Sequence, residues 1–113
     1  METKEVISAL AALAQDSRLS VFRLLVQAGP EGLAASQIAE MLEIPPSSLS
    51  FHLKELMHAE MVIQNRAGRS LIYSANFDTM NGLLGFLTEN CCGGNVCSPV
   101  GKQKCDSKKG VCA

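Results

Sequence analysis

A chain of 113 residues and 12.1 kDa holds one small domain and has no room for two ordinary ones. At 47% hydrophobic and 19% charged residues, with a mean hydropathy of +0.15, it can bury a core, which excludes disorder throughout. The net charge of −1 points to no partner by itself. No apolar run approaches ~18 residues, which excludes a membrane-spanning helix. Met1-Glu2-Thr3-Lys4-Glu5 lacks the basic-then-apolar pattern of a signal peptide, so the cytoplasm is the expected compartment.

In chain order, Val6, Ile7, Leu10, Leu13 and Ala14 recur at three- and four-residue spacing and predict one face of a first helix, ending near Gln15. Asp16 or Ser17 is placed to cap a second helix, with Leu19, Phe22, Leu25 and Val26 inward and Gly29-Pro30 as its stop. Leu33 to Leu42 reads as a short third helix with Ile38, Ala39 and Leu42 inward. Ile44-Pro45-Pro46 reads as a turn. A fourth helix is expected from Pro46 to Ala59, burying Leu49, Leu53, Leu56 and Met57, because proline is tolerated in a first helical turn.

The period then changes. Met61–Asn65 and Leu71–Ser74 are β-rich runs around Arg66-Ala67-Gly68-Arg69-Ser70, which predicts a hairpin. A fifth helix is expected from Asp78 to Asn90, with Phe77, Met80, Leu83, Leu84 and Leu87 on one stripe, stopped by Gly93-Gly94. The remaining residues are rich in Gly, Ser, Lys and Cys. The expected division is therefore a domain over residues 1–90 and a Cys-rich tail over 91–113 that orders poorly without a ligand.

Two short helices across a tight turn, followed by a hairpin, make a winged helix-turn-helix: mainly α, with five helices and a two-stranded wing. The fourth helix is then the one that reads DNA. Its exposed positions are Ser47, Ser48, Ser50, Phe51, His52, Lys54 and Glu55. Hydroxyls and free helix-N-terminal amides suit phosphate oxygens, and His52 and Lys54 add donors. Arg66 and Arg69 make a basic hairpin tip able to follow the backbone or enter a minor groove. Ser47, Ser48, Ser50, His52, Lys54, Arg66 and Arg69 are the candidate DNA contacts. Residues 1–90 carry six basic and ten acidic residues, so any DNA binding rests on this local patch and not on a global field.

Residues 44–56, with Ser50, His52 and Leu53 at their centre, resemble the reading helix of the ArsR/SmtB metalloregulatory repressors. Gly68-Arg69-Ser70-Leu71-Ile72-Tyr73 is similar to that family's wing, and Leu13-Ala14 with Arg18-Leu19 to its early pattern. The resemblance covers residues 5–90. It implies a cytoplasmic bacterial homodimer that holds operator DNA and releases it when an inducer binds. It also implies pairing of residues 4–14 and 78–90 across the dimer, with shared burial of Leu83, Leu84 and Leu87.

Three departures stand out. Where the family has Ala-Gly-Leu after the reading helix, this chain has Ala59-Glu60-Met61, and Glu60 must avoid a positive φ or accept strain. Many arsenic-responsive members carry cysteines at the start of the reading helix, but here none precedes Cys91. Zinc-sensing members place histidine–carboxylate pairs on the last helix; residues 76–90 hold only Asp78 and Glu89 and no histidine.

All five cysteines (Cys91, Cys92, Cys97, Cys105 and Cys112) lie in the last 23 residues. An odd number without an export signal argues against a disulfide framework and for soft-ion ligation or redox sensing. Gly93-Gly94 allows the turn that would bring Cys97 back to Cys91 and Cys92. Three thiolates suit As(III) or Sb(III) best. Cys105 would complete the tetrahedral shell that zinc prefers, which leaves zinc, cadmium and lead open. The resemblance extends to arsenic sensors with three cysteines at and beyond the last helix, and it implies a ligand role for Cys91, Cys92 and Cys97. The sequence shows no Gly-x-Ser-x-Gly, His-Glu-x-x-His or phosphate-loop motif, so an enzyme is not expected. The alternatives are a repressor of the same fold that senses Zn, Cd, Pb or thiol redox state, and an arsenite-binding carrier.

Overall fold

The computed structural model describes residues 1–89. It contains α1 (Thr3–Leu13), α2 (Asp16–Ala28), β1 (Leu33–Ala34), α3 (Ala35–Leu42), α4 (Pro46–His58), β2 (Val62–Ala67), β3 (Ser70–Ala75) and α5 (Phe77–Leu87). One compact unit spans Met1–Leu83 and a second begins at Leu84. The sheet, the core and the reading helix belong to the first. The expected tail, including all five cysteines, lies outside the described residues.

The core of the first unit is aliphatic. Val21 and Leu25 of α2, Ile38 of α3, Leu49, Leu53 and Leu56 of α4, and Met61 are almost wholly buried. Each such side chain contributes about 1.5–3 kcal/mol on leaving water. α4 packs against α1, α2, α3 and β2, so the reading helix is braced on its inner side by four elements.

The inward face of α1 differs from the expected one. Val6, Ala9 and Ala12 are buried, while Ile7 is 60% exposed, Leu10 is exposed and Ala14 lies in water. The small alanines let α1 approach α2 and α4 closely and turn its larger side chains outward. On α2, Val21 is buried and Leu19 is exposed. The cap of α2 is neither Asp16 nor Ser17 but Gln15, whose Oε1 accepts from the Arg18 amide at 2.9 Å. Arg18 Nε in turn donates to the Ala12 carbonyl at 2.7 Å, satisfying an acceptor of the last turn of α1. Ala39, Leu42 and Met57 are only half-buried.

The wing is not two-stranded. Leu33 and Ala34 form a third strand, giving the antiparallel order β1-β3-β2 with Leu33 opposite Tyr73 and Ala34 opposite Ile72. α3 therefore starts at Ala35, with the Ala34 amide donating to Gln37 Oε1 at 2.9 Å. Gly32 makes this pairing accessible. Its φ is +72, and a Cβ there would collide with the Tyr73 carbonyl oxygen. The β2–β3 hairpin is longer than expected, with Ala67 opposite Ser70, so only Gly68 and Arg69 form the connection. Arg66 sits within β2 opposite Leu71, and not in the loop.

α5 starts one residue earlier than expected, at Phe77, and ends at Leu87. Of its expected stripe only Leu83 is fully buried, while Leu87 is exposed. Asn76 fixes its start: its Oδ1 accepts from the Thr79 amide at 3.3 Å. Its amide donates to the Met61 carbonyl at 2.8 Å, and its Nδ2 to the Glu60 carbonyl at 3.0 Å. Glu60 accepts the strain rather than avoiding it, with φ at 61.

Candidate nucleic-acid interface

The turn between α3 and α4 is built from local rules. Glu43 adopts φ 55, a left-handed stop for α3, and the amides of Glu43 and Ile44 both return to the Ala39 carbonyl. Pro45 then holds an extended conformation and Pro46 opens α4. No side chain caps α4, and the Leu49 amide takes the Pro45 carbonyl. The amides of Ser47 and Ser48 lack an intrahelical acceptor and sit at the positive end of the helix dipole.

Ser47, Ser48, Ser50 and Lys54 are all exposed on α4. His52 is placed differently. A helix turns about 100° per residue, which sets His52 beside the Leu49–Leu53–Leu56 stripe and not opposite it. It is half-buried, and its Nδ1 is buried with no hydrogen-bond partner. Its ring meets the Phe51 ring nearly edge-on, at 5.9 Å between centroids and 63° between planes. Phe51, absent from the predicted contacts, points outward and is 55% exposed. The helical wheel of α4 carried that signal.

The wing presents its two arginines on one narrow ribbon. Gly68 at φ +66 makes the connection tight, and Arg66 and Arg69 are both exposed. Gln64 Nε2 donates to Tyr73 Oη at 2.8 Å across the β2–β3 pair, stiffening the base of the hairpin. This bond depends on register and has no signal in the sequence. The first unit thus holds an uncapped polar helix in a helix-turn-helix and a basic hairpin beside it.

Elsewhere in the first unit, an open cleft of about 470 Å³ is lined by side chains that include Lys4, Glu5, His58, Glu60 and Asp78. Among the described residues, no three His, Cys, Asp or Glu side chains converge on a point able to hold a metal ion. Nor is any described helix long and apolar enough to cross a membrane.

This architecture is a winged helix-turn-helix DNA-binding module. Residues 13–64 match a helix-turn-helix domain model. The chain is 35% identical over 81 residues to the arsenical resistance operon repressor of Bacillus subtilis (strain 168), covering 72% of this chain and 73% of that one. It is 39% identical over 75 residues to the HTH-type transcriptional regulator NmtR of Mycobacterium tuberculosis (strain ATCC 25618 / H37Rv), covering 66% of this chain and 59% of that one. An ArsR-like transcriptional regulator from Rhodococcus sp. RHA1 has the same fold, with a TM-score of 0.67 at 26% identity over 74% of this chain and 76% of that one. The chain belongs to the ArsR/SmtB family of transcriptional regulators.

Proposed function

We propose that this chain is an arsenic(III)-responsive repressor, binding operator DNA as a homodimer and releasing it when As(III) or Sb(III) is held by Cys91, Cys92 and Cys97. The observation that carries this reading is the pairing of a braced, polar reading helix and basic wing with a cysteine cluster that begins four residues beyond α5. The likeness to an arsenical resistance operon repressor supports the choice of inducer.

Ser47, Ser48 and Ser50 supply hydroxyls to the phosphate backbone, and the first-turn amides of α4 add donors. Lys54, Arg66 and Arg69 supply charge. His52 contributes from the flank of the helix, where its half-buried ring limits it to a close phosphate or base edge. Ile7 and Leu10, apolar and exposed on α1, support pairing of residues 4–14 and 78–90 with a second copy. Operator half-sites one helical turn apart tolerate little change in the spacing of the two reading helices.

Arsenite would exchange three hydroxyls for three thiolate bonds, with three waters leaving as the thiol protons are taken up. Closure of the 91–97 segment at the end of α5 then biases the dimer contact. A typical coupling of about 1–3 kcal/mol weakens DNA binding about 5- to 150-fold, enough to derepress a gene.

The test is fluorescence anisotropy of labelled DNA from upstream of the gene, titrated with reduced protein and then with arsenite, zinc or cadmium. Binding reversed by arsenite alone is the expected result. Release by zinc or cadmium instead would keep the repressor and replace the three-thiolate site by a tetrahedral one that includes Cys105. Failure to bind even a long upstream fragment at low salt would favour an arsenite carrier.

A further inference from the structure

Phe51 occupies the centre of the outward face of α4 and has no part in the phosphate contacts proposed above. Leu49, Leu53 and Leu56 define the inward stripe of that helix. At about 100° per residue, Phe51 projects almost opposite that stripe. Ser47 lies one turn before it and Lys54 one turn after, both exposed. The phenyl group is 55% exposed, and it meets the His52 ring only edge-on. A large apolar group at the middle of a polar, DNA-facing surface calls for an apolar counterpart on the DNA.

The floor of the major groove offers one: the 5-methyl group of thymine, which distinguishes a T·A pair from the others and is a recognised partner of phenylalanine. Hydroxyls and ammonium groups at Ser47, Ser50 and Lys54 fit phosphates, which position a protein without specifying sequence. Phe51 lies in the second turn of the helix, within the N-terminal half that approaches base edges in helix-turn-helix proteins. We infer that Phe51 is a specificity-determining residue that reads the 5-methyl group of a thymine in each operator half-site. This rests on the DNA-binding reading above and adds a sequence preference to it.

The experiment replaces the thymines of a bound upstream fragment one at a time by deoxyuridine, which removes the 5-methyl group and nothing else. Wild-type protein is expected to lose about fourfold in affinity at one or two positions, the equivalent of one buried methyl. F51A is expected to bind the unmodified fragment more weakly and to be indifferent to deoxyuridine at those positions, with F51L intermediate. K54A should bind more weakly yet keep the full methyl sensitivity. Because Phe51 is exposed, the thermal unfolding of F51A should match wild type, which separates reading from folding.

Wild-type binding that ignores every thymine methyl would overturn the inference and leave the repressor reading intact. So would F51A that keeps wild-type methyl sensitivity, or F51A that alters only the oligomeric state. No complex with the unmodified fragment at all would overturn the DNA-binding reading and this inference with it.

Discussion

Glu60 holds φ 61, where an L side chain costs about 1–2 kcal/mol and glycine costs little. Replacing it by glycine returns part of that gain as chain entropy in the unfolded state, about 0.5–1 kcal/mol. E60G is therefore expected to stabilise the protein by about 0.5 kcal/mol, read as a rise of a few degrees in Tm. A fall in Tm would show that Glu60 is not strained. The position was legible in the sequence as a departure from Ala-Gly-Leu; which way Glu60 resolved it was not, because that depends on Asn76 grasping the Glu60 carbonyl from the start of α5. Arg69 belongs to the same scale. At the tip of the hairpin it has no role in the core, so R69A should leave unfolding unchanged. It should flatten the dependence of log affinity on log salt by about 0.9 for each phosphate that the side chain neutralises, measured by anisotropy across a salt series.

Among the elements, β1 is the one whose existence hangs on a single residue. Gly32 combines φ +72 with a close approach to the Tyr73 carbonyl. G32A must move the chain away from β3 and break the Leu33–Tyr73 pairing. The expected cost is about 2–4 kcal/mol, seen in chemical denaturation. A cost below about 0.5 kcal/mol, the range of a neutral surface change, would mean that β1 is not held there. All five helices showed in the sequence because apolar spacing near 3.6 survives whatever packs on it. β1 did not, because two residues carry no period and their partner lies about 40 residues away in β3. The hairpin showed as a hairpin, but its length did not. Arg66 and Ser70 are turn-like by composition and become strand residues once Ala67 faces Ser70.

For the molecule as a whole, the proposed dimer and the proposed inducer site make separable predictions. I7E places a charge on the exposed apolar face of α1, where the fold of a single chain tolerates it. The expected outcome is a folded monomer in sedimentation, with DNA affinity down about 100-fold because two half-sites are no longer bound together. A dimer that persists would put the interface elsewhere. C92S should bind DNA as wild type does and fail to release it with arsenite; release at the wild-type arsenite concentration would remove Cys92 from the site.

The sequence by itself determined the class of fold, the order of helix, proline turn, polar helix and basic hairpin, and the segregation of every cysteine beyond residue 90. Those features are local: periodicity, turn chemistry and residue counts act within a few positions. The tertiary structure decided which side of each helix faces in. Alanines at 9 and 12 turned Ile7 and Leu10 outward, and the elements packed on α4 half-cover His52 and leave Phe51 in the open. A helix with apolar residues on more than one side has several near-equivalent faces, and only the neighbours it packs against choose between them.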